Sequence, residues 1–388
     1  MKQRRHRSAS VLLLTVVLLV LFGFVMMASI SAPYSMQKNG NFHHYALRQG
    51  VWLVLGTGAA LIARRIDYHF WVKRRFVLFA FTVTTVLLAL CYKKIMGRPI
   101  PNPFGVELNG SQRWVQIPGV SFAGIQPSEF AKFTLIAFLA WWHSEKHPHW
   151  PGFVKGIVFP IGLSCIILGL VAFEVDMGTT MLLGCTAVAM TFAAGAPYAL
   201  VFGIGGLGFA LLALAVSFSS NRMQRVLAFL DPFKDAQGKG YQLINALSGF
   251  VAGGAWGLGL GLGIQKQRGY LPEAHTDFIL ASIGEELGVL ATFAFLAMFV
   301  VLMVCSYRIA ARAADRAGQL IAVGIASLVS IQAVVNVAVV TGCAPTKGLA
   351  LPFVSYSGSS VLVLLFMMGV LLNIAHLSEV AASQARPD

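Results

Sequence analysis

Apolar residues run along this chain in long unbroken stretches with short polar interruptions. A helix that crosses a membrane needs about 20 mostly apolar residues. Ten stretches reach or approach that length: 11–32, 46–63, 76–92, 128–142, 157–173, 178–195, 198–217, 278–305, 319–341 and 358–377. The stretch 128–142 is short, and only Gly195, Ala196 and Pro197 part 178–195 from 198–217. The pattern predicts an all-α polytopic membrane protein of about ten transmembrane helices, a single membrane domain over 1–388 with no soluble domain. Lys2, Arg4, Arg5 and Arg7 precede the first stretch, and Ala28, Ser29, Ser31 and Ala32 resemble a cleavage site. The run from Val11 to Ile30 is longer than a usual signal-peptide core, so a retained helix is expected.

Two intervals between helices are long, 93–127 and 218–277. Loops of that length are commonly functional or disordered. These hold Trp114, Phe122, Phe229, Phe233, Tyr241, Trp256 and Tyr270, enough aromatic mass to pack. Residues 241–252 have helical spacing and suit a helix at the membrane surface. The glycine-rich run 253–263 has no strand before it and no βαβ unit around it, which excludes a dinucleotide site. It reads instead as a turn where backbone approaches backbone.

Composition agrees with the pattern. The 388 residues are 57% hydrophobic and 11% charged, against roughly 25% charged in soluble domains, and the mean hydropathy is +0.74. The five cysteines sit in or beside apolar runs without metal-ligand spacing, and read as small buried side chains.

Charge sets an orientation. Arg64, Arg65, Lys73, Arg74 and Arg75 flank one loop, and Arg308, Arg312 and Arg316 another. With ten alternating helices these fall on the same side as the basic N-terminus, so both termini are cytoplasmic. The opposite loops are also basic, with Lys93, Lys94, Arg98, Arg113, Arg222, Arg225, Lys234, Lys239, Lys266, Arg268 and Lys347. Two readings stand: charge tolerated in long loops, or an anionic ligand such as a lipid pyrophosphate at the outer face. The scatter of these residues gives no support to nucleic acid as a partner.

Four segments could carry chemistry. Between Tyr270 and Gly288, Glu273, His275, Asp277, Glu285 and Glu286 crowd the entry of a helix in lipid. Asp277 is either a helix cap or a carboxylate base at the membrane–water boundary. In Gln126-Pro-Ser-Glu-Phe-Ala-Lys132, Glu129 and Lys132 share a helix face and suit an ion pair. Lys132 could instead partner Asp277, in which case both would face one outward-open cavity. In Glu174-Val-Asp-Met-Gly-Thr-Thr180, Glu174 reads as a helix end in water, while Asp176 stays open between that role and binding. Pro345-Thr-Lys-Gly348 through Ser355-Tyr-Ser-Gly-Ser-Ser360 places Lys347 and hydroxyls before the last helix, either an anion site or a capped loop.

In order and spacing these segments resemble the SEDS family of FtsW, RodA and their sporulation homologue. The matching residues are Arg113-Trp114, QPSEFAK at 126–132, Gly240-Tyr-Gln-Leu243, YLPEAHTDF at 270–278, IGEELG at 283–288 and PTKGLALPF at 345–353 followed by SYSGSS. The AHTDF and PTKG wording is closer to the FtsW branch than to the RodA branch. Departures are Val175 for the usual proline, Asn245-Ala246 for Gln-Ser, Ser357 for glycine, and Gln265–Arg268, which aligns in two registers.

The resemblance implies an inverting glycosyltransferase that polymerises lipid II into glycan strands for septal cell-wall synthesis, with Asp277 as general base. RodA-like elongation, lipid flipping and a non-catalytic divisome scaffold are the alternatives. It also implies a cavity for lipid pyrophosphate, with Lys132, Glu129, Arg113, Lys266, Arg268, Lys347, His275, Ser355 and Ser359 as candidates. A divalent cation, magnesium or manganese, could assist, with no metal ligands firmly indicated. The implied partners are a class B penicillin-binding protein (an FtsI-like transpeptidase) and other divisome membrane proteins. The implied location is the bacterial inner membrane at the septum.

Overall fold

The computed structural model describes residues 2–92, 94–95, 98–99, 105–108, 111–116, 124–146, 152–267 and 274–384. The helices are α1 (Lys2–Asn39), α2 (His44–Arg65), α3 (His69–Val72), α4 (Arg74–Leu90), α5 (Pro127–Trp141), α6 (Phe159–Phe173), α7 (Met177–Ala193), α8 (Tyr198–Ser217), α9 (Ser220–Leu230), α10 (Tyr241–Gly253), α11 (Ile264–Gln267), α12 (Ile279–Ala311), α13 (Arg316–Val340) and α14 (Gly358–Gln384). Each of the ten predicted stretches falls on one of them. Seven helical spans, α1, α2, α8, α12, α13, α14 and α6 with the π turn before it, are long and apolar enough to cross a membrane. The other three stretches fall on α4, α5 and α7, of 17, 15 and 17 residues. The chain is a multi-pass membrane protein.

Packing sorts the helices. Every residue of α5 except Phe130 is buried, whereas α8 buries none and is apolar all round, as suits a helix facing lipid. Leu12, Leu19, Met26 and Met27 make α1 part of the core. Backbones meet at glycines. A side chain at Gly369 of α14 would collide with the Ala60 carbonyl of α2, and one at Gly23 of α1 would lie 3.0 Å from the Phe353 carbonyl.

The first long loop holds strands that hydrophobic periodicity did not indicate. β1 (Lys94–Ile95) pairs antiparallel with β2 (Arg98–Pro99), and β4 (Ser111–Gln116) lies between β3 (Gly105–Leu108) and β5 (Gly124–Ile125). The pairing Val115↔Ile125 delivers the chain to the start of α5.

The predicted uninterrupted helix 278–305 is broken. Gly288 inside α12 has φ 80° and ψ 172°, and the Glu285 and Glu286 carbonyls accept from Leu258 N (3.0 Å) and Gly259 N (2.9 Å). On the far side of the break Val289 N donates to Gly254 O (2.9 Å). The glycine-rich run is therefore a close backbone-to-backbone packing, and it re-satisfies groups the break frees, as a helix in lipid requires. The Glu285 carboxylate accepts from Ile264 N and Gln265 N at 2.7 and 3.0 Å, and Glu286 from Gly261 N at 3.0 Å. These two buried acids fasten the loop to the helix.

Candidate active site

The loops before α5, α7, α12 and α14 gather at one end of the molecule, opposite the predicted cytoplasmic loops. Asp277 is half-buried there, not sealed in the core. The cap of α12 falls on Phe278, which has no capping side chain. A Cβ at Gly348 would lie 2.7 Å from Asp277 Oδ2, so the carboxylate rests in the space a side chain would fill.

Two polar residues of α13 fix this approach. Asn336 Nδ2 donates to Asp277 O (2.8 Å) and Leu349 O (2.6 Å). Gln332, one turn earlier, donates to Ala350 O (2.8 Å) and accepts from Lys132 Nζ (3.3 Å). The sequence carried a signal for both, since two amides four residues apart in an apolar helix need partners in lipid.

Lys132 is 1% exposed, and its ammonium contacts both Glu129 oxygens at 2.8 and 2.7 Å. The ion-pair reading of 129–132 is what the structure shows. The alternative, Lys132 facing an open cavity with Asp277, is not, because Glu129 and Gln332 occupy its ammonium. Lys347 precedes Gly348, the residue against which the carboxylate rests. Burial lowers its ammonium below the usual lysine range, the Asp176 carboxylate opposes that shift, and Arg222 and Arg225 add to it. Three further basic groups outside the membrane thus share one neighbourhood, which sequence position alone did not reveal.

Asp176 is the N-cap of α7, accepting from Thr179 N (3.1 Å) and Thr179 Oγ1 (3.0 Å). Arg113 Nη2 donates to Val175 O (2.7 Å), and its Nη1 lies 3.9 Å from Asp176 Oδ2. Arg113 thus ties β4 to the α6–α7 turn. Val175 has φ 66° and donates from its N–H to Ala172 O. A proline could do neither, so this turn suits the departure from the family's usual residue. Glu174 corrects the expectation of a helix end in water. It is 0% exposed, among the described residues its carboxylate has the Cys91 thiol beside it and no other hydrogen-bond partner, and burial pushes its pKa up to about 8.

His275 is buried in a cluster of Tyr34, Tyr45 and Tyr356, with ring centroids 5.1, 5.3 and 5.9 Å away. Its carbonyl accepts from Tyr356 N (2.9 Å), joining the Asp277 segment to the 353–357 loop. Ser355 and Ser359 point inward. Ser355 Oγ accepts from Leu351 N (2.8 Å) and Ser359 Oγ from Gln126 N (3.3 Å), so both brace loops and neither is exposed. The Lys266 side chain and all of Arg268 lie outside the described residues, as do Glu273, Phe122 and Tyr270.

The FTSW_RODA_SPOVE family model, described as cell cycle protein, matches residues 9–380. The chain belongs to that family. Among curated FTSW_RODA_SPOVE-type relatives, the probable peptidoglycan glycosyltransferase FtsW of Trichlorobacter lovleyi is 42% identical over 368 residues, covering 94% of this chain and 92% of that protein. Its counterpart in Geobacter sulfurreducens is 39% identical over 95% of both chains. Stage V sporulation protein E of Bacillus subtilis is 37% identical over 96% of this chain and 99% of its own. The family fold is shared with two solved structures. One is a chain from "Structural coordination of polymerization and crosslinking by a peptidoglycan synthase complex", with TM-score 0.73, 24% identity and coverage of 95% and 97%. The other is the rod shape determining protein RodA of Thermus thermophilus, with TM-score 0.67, 22% identity and coverage of 94% and 95%.

Proposed function

We propose that this chain is a peptidoglycan glycosyltransferase that polymerises lipid II into glycan strands for septal wall synthesis, with Asp277 as general base. The observation that carries the reading is one half-buried carboxylate lodged over Gly348 of the Pro345–Gly348 segment, with Lys347 in that same segment near Arg222 and Arg225. Membership of a family whose relatives bear the glycosyltransferase name supports it.

The 4-hydroxyl of an incoming lipid II attacks the anomeric carbon of the growing strand. Asp277 takes the hydroxyl proton as the new C–O bond forms. The bond from the anomeric carbon to the lipid pyrophosphate breaks, and the pyrophosphate leaves with the electron pair. A single displacement inverts the anomeric centre. The leaving group carries its own negative charge, so it needs cations more than an acid. Lys347 is the first candidate, followed by Arg222 and Arg225, with Lys266 and Arg268 assigned from the family resemblance. Lys132 and Glu129 act as a buried brace for the Ala350 backbone through Gln332. Arg113, His275, Ser355 and Ser359 shape the loops around the carboxylate.

Among the described residues no three His, Cys, Asp or Glu side chains come together, but a magnesium or manganese ion needs only one or two carboxylates beside substrate phosphates. Asp277 with the lipid pyrophosphate would suffice to hold one, and it would add Lewis-acid neutralisation of the leaving group. The cationic side chains carry the neutralisation in this proposal. A class B penicillin-binding protein of the FtsI type is the proposed crosslinking partner, within a divisome assembly at the septum. One neighbour in fold comes from a peptidoglycan synthase complex, which supports such a pairing.

The test is polymerisation of labelled lipid II by the purified full chain with that partner. Glycan strands are expected. No strands, with an active partner and intact lipid II, would contradict the enzyme and turn the assignment to flipping or scaffolding.

A further inference from the structure

The end of the molecule opposite Asp277 carries a cavity that the proposed reaction does not use. It lies where α2 and α14 part company after their backbone contact at Ala60 and Gly369. One turn beyond that contact, Asn373 Nδ2 donates to Arg64 O (2.8 Å) and Asn373 Oδ1 accepts from Tyr68 N (2.9 Å). These bonds hold the end of α2 and the following loop as a fixed wall. Between the wall and the last turns of α14 is a cavity of about 560 Å³.

The lining has two characters. Leu61 and Leu377 supply apolar surface, and Arg64, Arg65 and His376 supply basic groups. The acid in the lining, Asp67, is engaged by His69 Nδ1 at 2.6 Å, and His69 Nε2 reaches Asp315 at 2.9 Å. Neither Arg64 nor Arg65 has a side-chain partner among the described residues. Tyr68 Oη also donates to Asp315 (2.8 Å), so the basic loops 64–75 and 308–316 share this end. That is the side which loop charge assigns to the cytoplasm.

We propose that this cavity binds the phosphate of an anionic phospholipid from the cytoplasmic leaflet, with the acyl chains running along Leu61 and Leu377. Guanidinium groups match phosphate oxygens in pairs. A soluble phosphate shares that chemistry, but it would leave the apolar half of the cavity unused. Asn373 makes the site preformed, since the backbone under Arg64 is fixed before any ligand arrives.

The experiment uses the full-length chain, delipidated in neutral detergent and titrated with phosphatidylglycerol or phosphatidylcholine, with retained lipid counted by native mass spectrometry. The native chain is expected to prefer phosphatidylglycerol, and Arg64→Gln with Arg65→Gln to weaken its retention by about tenfold or more. Arg74→Gln with Arg75→Gln changes two exposed arginines at the same end but outside the cavity, and is expected to keep the preference. Retention should survive millimolar inorganic phosphate. Equal retention of the two lipids by the native chain would overturn the proposal without reliance on any variant. Equal losses in the two double variants would also overturn it, leaving general surface charge. Displacement by inorganic phosphate would reassign the cavity to a soluble anion.

Discussion

At Gly348 even a methyl group would stand 2.7 Å from Asp277 Oδ2, too close for carbon and oxygen to coexist unmoved. Gly348 is itself exposed, so the chain should fold normally with alanine there. Gly348→Ala is therefore expected to displace the carboxylate and lower strand polymerisation by about tenfold or more, since misplacement by about 1 Å can cost a hundredfold. Side-by-side lipid II assays and thermal melts would check this, and unchanged polymerisation would separate Asp277 from the chemistry. Glu174 supports a different expectation. Burial first, with Asp176 adding, raises its pKa from 4.5 to about 8 against the opposing influence of Cys91 and Arg113. The folded chain keeps a proton that the unfolded chain releases above about 4.5, so this group destabilises the fold increasingly as pH rises towards about 8. Glu174→Gln should flatten the fall in melting temperature over that window. An unchanged slope would show that Glu174 ionises normally. Asp277, Lys347 and the acids of 285–286 stood out in the sequence as candidates because charge is rare in such a chain. Gly348 was not, because its role exists only through a carboxylate 71 residues away in sequence.

The elements show where apolar periodicity is informative and where it is not. All ten apolar stretches are helical because lipid leaves the backbone no other way to satisfy itself within a segment. The break in α12 was hidden, since Gly288 fits a helix pattern and its replacement hydrogen bonds come from residues 254–259. The short strands of the first long loop were hidden too, because pairs of two to six residues leave almost no alternation to read. In α13, Asn336 holds two separate carbonyls of the site. Asn336→Leu should cost about 1–3 kcal/mol in stability through the unpaired acceptors. It should lower polymerisation more than it lowers the amount of folded protein. Denaturant melts and specific activity would separate the two effects, and loss of neither would show that the loop holds itself.

For the whole molecule, the two ends differ in architecture more than in charge. One end binds the loops 64–75 and 308–316 together through Asp315, and the other assembles four loops around Asp277. Against the buried reading of the cysteines, Cys165, Cys185 and Cys343 are exposed, and Cys343 lies at the Asp277 end. In intact spheroplasts a membrane-impermeant maleimide should label it from outside, and labelling only after lysis would invert the orientation. Charge counting placed loops 64–75 and 308–316 on one side, and their contact through Asp315 needed the fold. The structure separates Lys132, held in a buried pair, from Lys347, which neighbours the site. The most direct test of the account is lipid II polymerisation by the native chain and by Asp277→Asn, each purified with the same class B penicillin-binding protein. The account expects strands from the native chain and none from a variant that is folded and still binds its partner. Equal strand formation by both would contradict it.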